Sequence, residues 1–200
     1  MITTVFLVRH GHYDSPAPVA PYRLPGFHLS PKGREDAASL SRSLAGEDIS
    51  AVFTSPLERT AETAGIIAGA HGIVPVVDPR LLEVRSPLQG KTPEEIHTLG
   101  GWNWSIYDTP WYAEKGGETP TMILARMKEC IEEHRNTYRG GSICLVSHGD
   151  PIMLAAAYYG GSPIDTEHLL TMEPYVPMAG GYRIVFEADK APGVYPIVVA

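Results

Sequence analysis

The chain has 200 residues, 44% of them hydrophobic and 20% charged, a composition that supports a sizeable core within a single domain spanning residues 1–200. A formal charge of −7 leaves no basic stripe for a phosphate backbone, so nucleic acid is not expected as a partner. Met1 to Val8 has no basic segment and only a short apolar run, which predicts neither a secretion signal nor a membrane span, and hence a cytoplasmic location.

In chain order, "TTVFLV" (3–8) is the first β-branched run expected to form a buried strand. Residues 11–29 are rich in proline and glycine and read as an irregular connection. A helix follows from Pro31 to about Ala45, with Ser30 as N-cap and proline at the first helical position. "AVFTS" (51–55) is a second strand, and Ser55-Pro56-Leu57-Glu58 has the form of a capping box for a helix running to about Ala70. "VPVV" (74–77) reads as a third buried strand.

Residues 84–118 have weak periodicity and carry Trp102, Trp104 and Trp111, a pattern expected of a lid or insert. Within them Thr92-Pro93-Glu94-Glu95 repeats the capping signature before a short helix. From Thr119 to Tyr138, apolar residues recur at helical spacing, with His134 on the buried face. "ICLVS" (143–147) is a fourth buried strand, and "GGYRIVF" and "VYPIVVA" read as two further strands, antiparallel at an edge. Cys130 and Cys144 sit among apolar residues without CxxC spacing and read as reduced core residues. Strands alternating with helices predict an α/β fold, a three-layer α/β/α sandwich with a mostly parallel central sheet.

An internal echo points to the chemistry. "LVRHG" (7–11) recurs as "LVSHG" (145–149), each a strand whose carboxyl end delivers His-Gly. Ligands of open parallel sheets bind beyond the carboxyl ends of the strands, so neighbouring strands would turn His10 and His148 into one crevice. The second strand leads into a helix that carries Arg59 near its N-terminus. Arg9, His10, Arg59 and His148 together would make a cationic pocket on a negatively charged protein, suited to a phosphoryl group. Taken singly, a helix arginine or a strand-end histidine reads more readily as a solvated or structural residue. Spacing alone does not choose between the two histidines as nucleophile.

"LVRHG", "SPLERTAETA", "LLEVRSPLQGKTPEEI", "GGETPTMILARM" and "LVSHGDPI", in that order, resemble the histidine phosphatase, or phosphoglycerate mutase-like, superfamily over about residues 3 to 155. The resemblance implies a phosphoglycerate mutase-like fold and a phosphatase acting on a phosphomonoester through a covalent phosphohistidine. It makes His10 the nucleophile, Arg9, Arg59 and His148 the phosphate-binding residues, and Glu83 the proton donor and acceptor. No metal or other cofactor is implied, because guanidinium groups carry the charge of the transferring group. The expected partner is a small phosphomonoester or another phosphorylated substrate.

His12 and Arg85 are further candidates to contact a substrate anion, and His12 departs from the acidic or amide residue often found there in the family. Three alternatives stay open: a phosphoglycerate-type mutase, a binding module that recognises a phosphorylated ligand without turnover, and a metal-dependent hydrolase that uses His10 and His12 as an H-x-H pair.

Overall fold

A computed structural model describes residues 1–101, 103–171 and 173–199. The elements are β1 (Ile2–Arg9), α1 (Pro31–Leu44), β2 (Ile49–Thr54), α2 (Glu58–Ala70), β3 (Val76–Val77), α3 (Pro93–Thr98), α4 (Pro110–Glu114), α5 (Pro120–Thr137), β4 (Ser142–Ser147), α6 (Gly149–Tyr159), α7 (Thr166–Leu170), β5 (Gly181–Glu187) and β6 (Gly193–Pro196). The strands form one sheet in the order β3-β2-β4-β1-β5-β6. The first four are mutually parallel, and β5 and β6 add an antiparallel edge.

The alternation within β1 explains the layers. Phe6 and Val8 face one side, where Leu40 and Leu44 of α1 and Ala64, Ile67 and Ala68 of α2 cover them. Val5 and Leu7 face the other, against Ile123, Met127 and Ile131 of α5 and Ile152 of α6. Both faces are buried, which is why the strands read as continuous apolar runs and why the result is a three-layer α/β/α sandwich. No helix among the described residues is long and apolar enough to cross a membrane.

Several sequence expectations hold in detail. Ser30 caps α1 by accepting from the Gly33 N–H, and Thr92 and Glu95 form the full capping box of α3. Both cysteines are free and buried, and burial pushes the Cys144 thiol up to about 12. Others need correction. The third strand is only Val76–Val77, and both residues are exposed, because it is the outermost strand of the parallel half. The last strand ends at Pro196, so residues 197–199 do not extend it, and Ala200 lies outside the described residues. Ser55 caps nothing: α2 starts at Glu58 after Leu57, with no side-chain cap. Helix α6 was not anticipated; nine of its eleven residues are buried, so it lacks the one-sided pattern that marks an amphipathic helix.

Residues 84–118 fold into α3, a 3-10 turn at Trp104–Asp108 and α4, and their Trp104, Ile106, Tyr107 and Tyr112 join the core on the α5 and α6 side. Trp102 lies outside the described residues.

Candidate active site

The parallel strands end on one edge, and that edge holds the site. β1 and β4 are immediate neighbours with Arg9 opposite Ser147, so the next residue of each, His10 and His148, enters the same crevice. Their ring centres are 5.2 Å apart. Both glycines that follow serve close packing. A Cβ on Gly11 would lie 2.5 Å from the Gly33 carbonyl oxygen, and one on Gly149 would lie 2.0 Å from the Tyr175 hydroxyl.

His10 is buried, and its Nδ1 lies 2.8 Å from the Gly11 carbonyl oxygen. A carbonyl only accepts, so Nδ1 carries the proton and the lone pair resides on Nε2. Arg59 Nε approaches that Nε2 at 3.3 Å. Burial, reinforced by the Arg59 charge, holds the His10 pKa well below the ordinary imidazole value, which keeps the ring neutral. His148 is likewise depressed by burial and then by Arg59. Its Nδ1 accepts from Arg59 Nη2 at 3.2 Å, leaving Nε2–H to donate to Ser55 Oγ at 2.9 Å. Ser55 therefore orients a histidine.

Two arginines border the cavity with donors left over. Arg59 is 1% exposed, yet its Nη1 has no hydrogen-bond partner, and Arg9 Nε is also buried without one. Arg9 is anchored by its Nη1, which donates to the Val176 carbonyl at 2.7 Å, and its guanidinium packs over the Tyr175 ring. Buried donors without acceptors are costly in a folded protein, and both residues line a cavity large enough for an anion.

Glu83 lines the same cavity, with Oε2 3.7 Å from His148 Nδ1 and Oε1 accepting the Val84 N–H at 2.9 Å. Burial, followed by the nearby Asp150 charge, pushes its carboxyl group up to about 7. Its loop is held from outside the cavity. Arg23 Nε donates to the Glu83 carbonyl at 2.6 Å, and Arg126 Nη1 donates to the Arg80 carbonyl at 2.6 Å. Glu118 accepts from both guanidinium groups and from the Arg85 N–H, tying the two arginines together.

Arg9, His10, Arg59, Glu83 and His148 thus come together, and His12 and Arg85 do not join them. His12 is exposed and pairs with Asp36 at 2.7 Å, because the chain turns back toward α1 after Gly11. Arg85 points away, its Nε donating to the Gly116 carbonyl at 3.0 Å. The H-x-H pair does not converge, since the two Nδ1 atoms serve Gly11 and Asp36. Among the described residues the cluster of metal-ligating types is Asp78, Cys130 and His134. There Asp78 Oδ2 already accepts from Arg80, Cys130 and His134, so that cluster is a salt-bridged anchor.

Several cavity residues were missed by sequence reasoning. Tyr13 lies edge-on to His10 with ring centres 5.5 Å apart, and Asp150 accepts from the Tyr107 hydroxyl at 2.5 Å and the Tyr175 hydroxyl at 2.6 Å. No short motif joins residues so far apart in the chain. Tyr13 and Asp150 alone stood in reach, three positions beyond His10 and two beyond His148.

The model of the histidine phosphatase superfamily (branch 1) matches residues 5–190. The chain belongs to this superfamily. Among curated relatives it is similar to protein Rv0525 of Mycobacterium tuberculosis, 35% identical over 165 residues that span 80% of this chain and 79% of the relative. It is also 31% identical over 178 residues to the "Probable phosphoglycerate mutase GpmB" of Photorhabdus laumondii, covering 84% of this chain and 80% of that protein. Among solved structures, "Mycobacterial hydrolase 1" superposes with a TM-score of 0.82 at 21% identity, over 99% of this chain and 98% of the other. At that identity the likeness speaks to the histidine phosphatase fold alone.

Proposed function

We propose that this histidine phosphatase superfamily member hydrolyses a small phosphomonoester through phospho-His10, in the cytoplasm and with arginine side chains in the role that metal ions play in other phosphoryl transferases. The observation that carries the reading is the His10 ring: Nδ1–H is held on the Gly11 carbonyl, and the Nε2 lone pair is presented beside a buried guanidinium that has a donor to spare.

In the first step His10 Nε2 forms a bond to phosphorus as the P–O bond to the alcohol breaks, and Glu83 delivers its proton to the departing oxygen. A carboxyl group raised to about 7 is substantially protonated at neutral pH, as that step requires. Arg9 and Arg59 surround the transferring group and stabilise its equatorial oxygens, and His148 joins them as a donor once the bound dianion favours a proton on its Nδ1. In the second step Glu83, now ionised, takes a proton from water as the water oxygen bonds to phosphorus and the N–P bond breaks. The proton retained on Nδ1 makes the phosphorylated ring an imidazolium, and so a better leaving group.

The test is phosphate release from phenyl phosphate by the wild-type protein and by His10→Ala, with and without a chelator. The expected result is turnover that survives the chelator and disappears in a folded His10→Ala. An active His10→Ala would sink the covalent mechanism, chelator-sensitive turnover restored by zinc would favour metal-assisted hydrolysis, and isomer in place of inorganic phosphate from a phosphoglycerate would make the protein a mutase.

A further inference from the structure

We infer that the leaving group this cavity selects is an uncharged or cationic aromatic or apolar alcohol, and that carboxylated phosphoesters, phosphoglycerates among them, are discriminated against. The inference deepens the phosphatase reading and rests on it.

The cavity has a volume of about 500 Å³, room for far more than a phosphoryl group. Its charges are unevenly placed. Among the described lining residues the cations are Arg9 and Arg59, and the acids are Glu83, Asp150 and Glu173. The phosphoryl dianion takes up both arginines, and Glu83 is the proton donor. No cation is then left for a second anionic group, while Asp150 and Glu173 remain. The basic residues nearby in sequence do not fill the gap: Arg85 is engaged with the Gly116 carbonyl and Arg23 with Glu118. A carboxylate on the leaving group would therefore be stripped of water, meet no counter-charge and face acidic side chains.

The remaining wall is aromatic. Tyr22, Trp104, Tyr107, Tyr112 and Tyr175 line it, with Trp104 and Tyr107 ring centres 5.6 Å apart and those of Tyr107 and Tyr112 5.1 Å apart. Asp150 organises this surface. It accepts one tyrosine hydroxyl on each oxygen, from Tyr107 on the 3-10 turn and from Tyr175 beyond α7, so the two rings are fixed with their polar ends already used. What they offer a ligand is a ring face and an edge, which suits apolar and aromatic groups and, through the ring quadrupole, cations.

The experiment measures kcat/KM of the full chain for two matched pairs: phenyl phosphate against 4-carboxyphenyl phosphate, and glycerol 3-phosphate against 3-phosphoglycerate. In the first pair the carboxylate makes the phenol a slightly better leaving group, so chemistry alone favours the ester expected to lose. The expected result is at least about a tenfold preference for the uncharged member of each pair, with phenyl phosphate the best of the four. In Asp150→Asn, and separately in Glu173→Gln, the preference shrinks as one negative charge is removed. Equal or faster hydrolysis of the carboxylated esters would overturn the inference while leaving the phosphatase reading intact, and an undiminished preference in both variants would overturn the assignment to these acids. No phosphate release from any of the four esters would overturn the phosphatase reading, and the inference with it.

Discussion

Arg59 Nε lies 3.3 Å from His10 Nε2, while Nη2 of the same guanidinium lies 3.2 Å from His148 Nδ1. One buried cation thus faces a lone pair of each histidine, adds its charge to the burial that keeps both rings neutral, and has Nη1 without a partner. Replacing it removes the proposed phosphate donor and part of what suppresses imidazole protonation. Arg59→Ala is expected to lower kcat/KM by about 10²–10³ or more, and to shift the acid limb of the pH profile toward neutrality. Arg59→Lys supplies charge without the planar fork and should recover only part of the loss. Steady-state kinetics with phenyl phosphate checks both, and wild-type activity in Arg59→Ala would contradict the geometry.

The pH profile carries a second expectation. Glu83 must be protonated in the first step and its carboxyl group stands at about 7 in the free protein. kcat/KM should therefore fall as pH rises above about 7, and Glu83→Gln should abolish that limb. The loss in Glu83→Gln should be large with an alkyl phosphate and much smaller with 4-nitrophenyl phosphate, whose leaving group departs without a proton. An equal loss with both esters would rule out Glu83 as the acid.

Stability should follow the same group with a defined sign. Its folded value lies above the ordinary carboxylate value of 4.5, so its contribution is fully present below about 4.5 and is lost as pH rises through about 7. Glu83→Gln, which cannot ionise, should therefore gain stability relative to wild type between pH 5 and pH 8. Thermal melts at the two pH values give the comparison, and a gap that stays constant would refute the burial account.

Asp78 predicts the opposite slope. Its carboxylate is held well below the ordinary value of 3.8 by hydrogen bonds from Arg80 and His134 that outweigh burial. The stability it confers is present above about 3.8 and lost as pH falls. Removing it would leave the buried His134 without its partner and take one of three carboxylates from Arg80, at a cost of roughly 1–3 kcal/mol. Asp78→Ala should show a lower melting temperature at pH 7 and a weaker dependence on acid than wild type. Because Asp78 also accepts the Arg80 N–H at the start of the turn that leads to Glu83, kcat should fall as well.

Gly33 is the last test. A Cβ there would lie 1.8 Å from the His12 carbonyl oxygen, a backbone atom two residues beyond His10. Gly33→Ala should destabilise by about 1–3 kcal/mol and lower kcat by displacing the loop that fixes Nδ1–H. A variant with unaltered melting temperature and kcat would show that α1 can move away freely.

What the sequence made readable follows from burial. β1 and β4 are covered on both faces, so their apolar runs stood out and their ends located His10 and His148. α6 is covered nearly all round and offered no periodicity, and it carries Asp150 at its start. Glu83 could be singled out only by family resemblance, since a loop carboxylate acquires its character from the burial and the neighbouring charge that folding creates. Tyr107, Asp150 and Tyr175 meet only in three dimensions, which is why the aromatic part of the cavity stayed hidden while the part lined by His10 and the arginines did not. His12 and Arg85 turn away from the cavity for a related reason: closeness in sequence to a cavity residue does not determine where a side chain points.

The order of strands also bears on how the protein is made. β4 lies between β1 and β2, so these two strands, made before it, are not partners in the finished sheet. Until residues 142–147 emerge, a growing chain holds two apolar strands with open inner edges and a gap reserved between them. Insertion of that one strand joins β1 to β2 and brings His148 to His10, so the two histidines meet only after residues 142–147 have emerged.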